Sequence, residues 1–130
     1  MNTFGVLLRI CALTAHDAAH LLDIPPRVVL RWARGVAEPS AEAMTALGAL
    51  QARQQDVADA ILTSWDEAGR PASMAIAIAR DDEEAREMGW PSQAAQAAPA
   101  AIAQAILGPV KIVLDQGRPA IPDPAAIAAE

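Results

Sequence analysis

The sequence predicts a mainly α-helical protein, α+β overall, with a small strand-helix-strand appendix at its C-terminal end. Three observations predict this class. Apolar side chains recur at helical spacing in several segments before residue 69. Gly69-Arg70-Pro71 then ends the helical pattern, because Gly and Pro are strong breakers. Val110–Leu114 is a β-branched run between Gly-Pro and Asp-Gln-Gly, as expected of a strand.

The length and composition favour a small protein that pairs with itself. A chain of 130 residues suits one domain, or a small domain with an appendix. Much of its 53% hydrophobic content is Ala, and the aromatic residues are only three Trp and one Phe. A core built mainly of Ala is thin, so we expect a homodimer in which a second subunit adds stability.

Cysteine use and hydropathy predict the compartment. The single Cys excludes an internal disulfide and suits a reducing environment. The apolar run from Phe4 to Leu13 is short, lacks a basic start and is interrupted by Arg9, unlike a targeting segment. No stretch is long enough to span a membrane. We therefore expect a cytoplasmic protein that does not contact membranes.

Residues 3–12 predict the first helix. Its apolar side chains at helical spacing should pack on the next two helices, and they are Phe4, Leu7, Leu8 and Cys11. Cys11 is interpreted as a core residue rather than a redox sensor, since a lone Cys behaves as a small hydrophobe. Arg9 faces the other way, where it can contact phosphate.

The second helix is predicted to start after Thr14. Thr14 is a favoured N-cap, and Asp17 stands at the third helical position, where an acid reaches back to the unpaired amides. The small inner face consists of Ala18, Ala19 and Leu22. Asp23 stands at the turn that follows, and Asp tolerates the left-handed conformation better than most residues.

The third helix is predicted to start near Pro25 and Pro26, since Pro fits the first turn of a helix. Residues advance by about 100° around a helix, so this helix has two different sides. One arc has three arginines and no acid, and consists of Arg27, Leu30, Arg31 and Arg34. The opposite arc is apolar and consists of Val28, Val29 and Trp32. Gly35 follows as a helix stop.

This stretch resembles the helix-turn-helix of Xre/Cro-type repressors. The resemblance is carried, in register and without a gap, by Thr14, Asp17, Ala19, Leu22, Ile24, Val29, Arg31-Trp32, Gly35 and Pro39-Ser40. In that family the recognition helix lies in the major groove of DNA. By resemblance, DNA contact falls to Pro26, Arg27, Leu30, Arg31 and Arg34, and Arg9 is added as a phosphate contact. Ala15, Pro25 and Ala33 depart from the family pattern, which leaves fewer hydrogen bonds to phosphate.

The charge distribution is compatible with DNA binding although the net charge is −6. Residues 1–40 contain four arginines against three acids, a net charge of +1, and the other ninety residues carry −7. An acidic body behind a basic reading face should suppress sequence-independent adhesion to DNA.

His16 and His20 require a separate interpretation. His-Asp-Ala-Ala-His resembles the zinc-peptidase signature, in which two His at i and i+4 bind zinc and a Glu acts as base. Here Asp replaces that Glu and no third ligand is evident downstream. We therefore expect no metal, no cofactor and no catalytic residue, and interpret both His as surface residues whose protonation tunes DNA affinity.

The remaining elements follow from period and breakers. A long helix is predicted from Ser40 to about Ala68, with Gln54 as the polar member of its apolar stripe. A weak strand follows at 73–79, a solvated helical turn at 80–87 and a helix from Trp90-Pro91-Ser92 to Leu107 that is kinked at Pro99. The predicted domains are 1–68 for DNA binding, 69–116 for dimerisation, and 117–130 as an extended or disordered tail.

The C-terminal half is also similar to the small autorepressors associated with anti-CRISPR operons and their uncharacterised relatives. This second resemblance rests on Gly69-Arg70-Pro71, a following strand, Gly89-Trp90 and an Ala-rich helix. It implies that the C-terminal part forms the dimer and that the protein represses its own operon. Pro91 and the strand after Gly108 depart from the pattern.

Three functions are compatible with these observations. The first is a homodimeric transcriptional repressor that reads a palindromic operator in double-stranded DNA. The second is an antitoxin whose same DNA unit autoregulates while the C-terminal segment binds a protein partner, the toxin. The third is a protein or RNA interaction module that keeps the fold without reading DNA. An enzyme is not expected, because no nucleophile, base and orienting group occur together.

Overall fold

The computed structural model describes residues 2–116 of the chain. The elements, in chain order, are α1 (Thr3–Ile10), α2 (Ala15–Leu22), α3 (Pro26–Ala33), α4 (Ala41–Glu67), β1 (Ser73–Ile78), α5 (Asp82–Glu87), α6 (Gln93–Leu107) and β2 (Lys111–Gln116). The predicted class, mainly helical with strands towards the C-terminal end, is confirmed. The predicted strand-helix-strand appendix has two helices, α5 and α6, between its strands, and the strands form a small sheet. The predicted tail at 117–130 lies outside the described residues.

The described helices were compared with the length and hydropathy that crossing a bilayer requires. None of them meets both requirements by itself. Taken together, α1 and α2 do meet them, but the two helices are bent by 93° relative to each other.

The chain divides into two compact units, of which the first ends at Ala52 and the second begins at Arg53. This division falls within α4, whereas the sequence predicts a domain boundary after residue 68. The division at Ala52 concerns the compactness of the chain, whereas the predicted boundary at residue 68 separates two proposed functions. The assignment of 1–68 to DNA binding and of 69–116 to dimerisation stays a prediction.

The first unit is built from α1, α2, α3 and the first part of α4. Its most deeply buried side chains come from all four helices, and they are Phe4, Cys11, Ala18, Val29 and Leu47. The core residues predicted on α1 are buried or half-buried, and Cys11 is completely buried. Burial raises the pKa of the Cys11 thiol, which disfavours the reactive thiolate. The interpretation of Cys11 as a core residue is therefore confirmed.

Local signals at the start of α2 and at the following turn act as predicted. The Thr14 side chain accepts the N–H of Asp17 at 3.1 Å, and the Asp17 carboxylate accepts the N–H of Thr14 at 3.1 Å. These reciprocal bonds form a capping box. Asp23 ends α2 with φ 55° and ψ 49°, the left-handed conformation expected at this turn.

The end of α1 differs from the prediction. The helix ends at Ile10 rather than at residue 12, and Ala12 has φ 59°. The left-handed conformation at Ala12 lets the N–H of Leu13 return to the carbonyl of Leu8 at 2.9 Å. This hydrogen bond is typical of a helix C-terminus, where the left-handed residue, here Ala12, is usually Gly.

The second unit contains a two-stranded parallel sheet. β1 and β2 pair in the register Ser73↔Lys111 to Ile78↔Gln116. On β1 the buried residues Ile76 and Ile78 alternate with Ala75 and Ala77, as the period of two predicted. A parallel pair requires a crossover connection, and α5 and α6 provide it.

Pro99 lies inside α6, where its ring removes one hydrogen bond of the helix. A proline has no N–H, so the carbonyl of Ala95, four residues earlier, loses its usual donor. The Gln54 side chain provides a replacement, because its Nε2 donates to that carbonyl at 3.0 Å. Gln54 is 1% exposed. Gln54, the polar residue in the apolar stripe of α4, therefore supplies the hydrogen bond that α6 lacks because of Pro99.

Candidate nucleic-acid interface

The third helix, α3, presents the two different sides that the sequence predicts. Val29 is completely buried, while Val28 and Trp32 are half-buried. The predicted contact residues are all exposed, and they are Pro26, Arg27, Leu30, Arg31 and Arg34. Leu30 on the same side is 40% exposed. The exposed side of α3 consequently combines three guanidinium groups with one apolar side chain and no acid.

Trp32 is the residue that holds α3 against α1. Its ring meets the ring of Phe4 edge to face, with the centroids 5.6 Å apart and the planes at 90°. This is a favoured geometry for aromatic pairs. Phe4 is 1% exposed and Trp32 is half-buried, so the contact joins the core of the first unit to α3.

Asn2 makes a second connection between α1 and α3. Its side-chain oxygen caps α1 by accepting the N–H of Gly5 at 2.9 Å. Its side-chain nitrogen donates to the carbonyl of Trp32 at 2.6 Å, near the end of α3. Because one amide serves both helices, it links the start of α1 to the end of the arginine-bearing helix.

Gly5 allows the close approach of these two helices. A Cβ atom at this position would lie 3.2 Å from the carbonyl oxygen of Ala33, which is tighter than an ordinary contact. A larger residue at position 5 would therefore push α3 outward.

Sequence reasoning did not find the roles of Asn2 and Gly5. The available signal for Asn2 was its identity, since Asn is a favoured N-cap and precedes the first helical residue. For Gly5, a glycine inside a helical pattern suggests a packing reason. Neither signal names the partner on α3, because the partners, Trp32 for Asn2 and Ala33 for Gly5, lie two helices further along the chain.

Arg9 and Arg34 come together on one surface depression. They line it with Gly5, Leu8, Leu13 and Ala33. Both arginines are exposed. The structure thus places the two residues predicted to hold phosphate beside the joint between α1 and α3.

The start of α3 provides few additional donors. The N-cap Pro25 forms no side-chain hydrogen bond with the first turn, and Pro26 at the first helical position has no N–H. This agrees with the departure at Pro25 noted in the sequence. The exposed side-chain donors of α3 are therefore mainly its arginines.

His16 and His20 lie beside the same end of α3. Both are exposed, and they line a depression together with Pro25 and Pro26. Within residues 2–116, no group of three or more His, Cys, Asp or Glu side chains is placed to hold a metal ion. The His pair is thus a surface feature next to the predicted contact residue Pro26.

Comparison of the chain with protein families, with curated proteins and with solved structures finds no match. Its function is therefore inferred from its own residues.

Proposed function

We propose that this protein is a sequence-specific regulator of transcription, a homodimeric repressor that reads a palindromic operator in double-stranded DNA. In this proposal α2 and α3 form a helix-turn-helix, and α3 enters the major groove. The observation that carries it is the exposed side of α3, on which Arg27, Arg31 and Arg34 point away from a buried Val29.

The chemistry of this side suits a base-paired duplex. A guanidinium group donates two parallel hydrogen bonds, which match the O6 and N7 acceptors of guanine and the oxygens of a phosphate. Leu30 suits contact with the methyl group of a thymine. Because α3 carries no acid on this side, phosphate repulsion is absent there. An ordinary solvated helix more often mixes both signs of charge.

The predicted roles differ along the surface. Arg27 and Arg31 are proposed to read bases, because they lie within α3 itself. Arg34 and Arg9 are proposed to hold phosphates, and their shared depression supports this pairing. Contacts of the first kind carry sequence information, whereas contacts of the second kind set orientation and affinity.

The attachment of α3 supports its use for reading. Precise base contacts require a helix that is already fixed, since ordering it on binding would reduce affinity. The Phe4–Trp32 ring pair and the Asn2 hydrogen bond to Trp32 provide this attachment from α1.

The dimeric form is proposed together with the palindromic operator, because both have two-fold symmetry. Two copies related by a two-fold axis would place two α3 helices on half-sites about one helical turn, ~34 Å, apart. A second recognition helix also multiplies specificity, which matters when phosphate contacts are few.

Selection of bound fragments from random double-stranded DNA tests the proposal. We expect one enriched motif with two inverted half-sites, and a gel shift with a duplex that contains it. The variant Arg27→Ala/Arg31→Ala/Arg34→Ala should lose this binding. A matched control, Arg86→Ala, removes an exposed arginine of α5 and should bind as the wild type does.

The other outcomes separate the competing functions. Unchanged binding by the triple variant would reject α3 as the reading helix. Selection without any enriched motif, by a folded protein, would favour a protein or RNA interaction module. A small basic protein encoded next to this chain, binding its C-terminal segment and strengthening the gel shift, would favour the antitoxin.

A further inference from the structure

β2 uses only one of its two edges for pairing with β1. The N–H of Lys111 donates to the carbonyl of Ala72 at 3.0 Å, on the side of β1. The N–H of Ile112 points to the opposite side, where the side chain of Gln104 accepts it at 3.3 Å. Since the two edges alternate along a strand, the outer edge of β2 carries the N–H and C=O groups of Ile112, Leu114 and Gln116. Among residues 2–116 this sheet has two strands, so no third strand follows β2.

Apolar side chains surround this outer edge on both faces of the strand. Val113 is 45% exposed and Leu114 is 42% exposed, and neighbouring residues of a strand point to opposite faces. Parallel sheets are normally covered on both faces, and two strands alone are marginally stable in water. The second unit therefore has the edge and the apolar surface to accept further strands.

The sequence of β2 is complementary to itself when it is read in the opposite direction. Lys-Ile-Val-Leu-Asp has a base at one end, an acid at the other and apolar residues between them. In an antiparallel pair of identical strands with a two-fold axis at Val113, Lys111 faces Asp115 of the second copy. The same register sets Ile112 opposite Leu114, whose N–H and C=O groups both lie on the outer edge. A shift by two residues would lose the pairing of base with acid.

We propose that the outer edge of β2 pairs with β2 of a second copy of this chain, antiparallel and centred on Val113. The result is a four-stranded sheet in the order β1-β2-β2-β1. The inference deepens the proposed function, because it names the surface of the homodimer that a palindromic operator requires. Each Lys111 lies opposite an Asp115 across the axis, so the pairing contains two such contacts.

Gln104 protects this edge in the single chain. Its side-chain nitrogen donates to the carbonyls of Val110 at 2.6 Å and Gly108 at 2.9 Å, while its oxygen accepts the N–H of Ile112. On pairing, the carbonyl of Leu114 of the second copy takes the place of that oxygen. The exchange replaces one long hydrogen bond with a backbone bond, and it covers the apolar side chains at the same time.

Charge reversal in the full chain tests the proposal. Lys111→Glu sets acid opposite acid twice in the homodimer, and Asp115→Lys sets base opposite base twice. Each variant should raise the dimer dissociation constant about tenfold or more at low salt, since like charges directly opposite are destabilising. Sedimentation equilibrium measures this, and the difference should decrease at high salt because salt screens exposed charges.

Two further samples distinguish direct pairing from simple loss of stability. An equimolar mixture of the two single variants forms a heterodimer in which both contacts unite opposite charges. The double variant Lys111→Glu/Asp115→Lys restores both contacts in a homodimer. We expect dimers in both samples. Within one chain positions 111 and 115 are four residues apart along a strand, roughly 13 Å, so rescue must come from the second copy.

Three results would overturn the interface. They are a wild type that stays monomeric at every concentration, single variants that dimerise as the wild type does, and single variants that neither mixing nor the double change rescues. A monomer that still binds one half-site through α3 would overturn this interface and leave DNA reading intact. A dimer with the expected charge behaviour that selects no DNA motif would overturn DNA reading and leave the interface intact.

Discussion

The two compact units differ in the polar side chains that they bury. In the first unit the arginines of α3 are exposed, the core of Phe4, Leu47 and Val29 is apolar, and the buried carboxylate of Asp17 belongs to the capping box of α2. In the second unit Gln54, Ser92 and Gln96 are buried, while apolar residues of β2 and α6 are exposed. Both units also expose large apolar side chains, such as Val36 in the first and Val113 in the second. The units therefore differ in their buried polar connections, and the first carries the side of α3 that is proposed to contact DNA.

The buried polar side chains of the second unit each form a hydrogen bond with a backbone group that lacks its usual partner. The side chain of Gln54 donates to the carbonyl of Ala95, which has no backbone donor because residue 99 is a proline. The side chain of Gln96 accepts the N–H of Ala79, just after β1, at 2.8 Å. Ser92 caps α6 by accepting the N–H of Ala95 at 3.0 Å. A buried polar side chain with such a partner costs little, whereas one without a partner is expensive. These residues therefore stabilise the backbone where regular helices and strands begin, end or are interrupted.

The largest expected effect concerns the side of α3 that is proposed to contact DNA. Arg31→Ala should weaken binding to the selected operator by roughly 1–3 kcal/mol, with the loss confined to one base position. Arg9→Ala should weaken binding evenly across sequences and reduce the salt dependence, because it removes a proposed phosphate contact. Gel shifts with single-base operator variants measure both. Equal, sequence-independent losses for the two variants would show that Arg31 does not read a base.

The next effect concerns the buried amide of the second unit. Gln54→Leu should lower the free energy of unfolding by about 1–3 kcal/mol, because the carbonyl of Ala95 then stays buried without a donor. Pro99→Ala restores a backbone N–H to that carbonyl. Urea denaturation of both single variants and the double variant completes the cycle. We expect Gln54→Leu to lower the free energy of unfolding by less when position 99 is Ala. An equal loss in both backgrounds would show that Gln54 does not compensate for Pro99.

A smaller effect is expected at the capping box of α2. Thr14→Ala should lower the free energy of unfolding by about 1 kcal/mol, since the N–H of Asp17 loses its acceptor. Thr45→Ala, at an exposed position inside α4, is the matched control. There the same change should be neutral or slightly stabilising, because Ala has the higher helix propensity. Thermal or urea unfolding measures both changes. Equal changes in the free energy of unfolding for the two variants would contradict the role of Thr14 as a cap.

The smallest effect is a gain in stability at the end of α1. Ala12 has φ 59°, a conformation that Gly adopts without strain, so Ala12→Gly should raise the free energy of unfolding by about 0.5–1 kcal/mol. Ala49→Gly, on the exposed side of α4, should lower it by a similar amount. A loss of stability at both positions would contradict the left-handed turn.

Most helices and both strands could be predicted because their signals are local. Thr14, Asp17 and Asp23 determine the bounds of α2 through contacts within a few residues, and the period of β1 separates Ile76 and Ile78 from their neighbours. The end of α1 was predicted two residues late, because Ala12 carries no sign of a left-handed conformation. The predicted strand after Gly108 begins one residue later than expected and continues to Gln116.

The candidate site divides in the same way. The exposed arc of Arg27, Leu30, Arg31 and Arg34 follows from helical geometry alone. The position of Arg9 and Arg34 on the same surface depression depends on how α1 packs on α3. The roles of Asn2 and Gly5 depend on the same packing. No periodicity within one helix contains that information.

The sequence by itself determined the order of elements and the two sides of α3, since helix period, caps and breakers act between residues close in the chain. Only the tertiary structure decided that Asn2 holds the end of α3, that Gln54 compensates for Pro99, and that β1 and β2 pair in parallel with one edge of β2 turned outward. Each of these depends on residues 30 or more positions apart, such as Gln54 and Ala95 at a separation of 41, so it arises only when whole elements pack together.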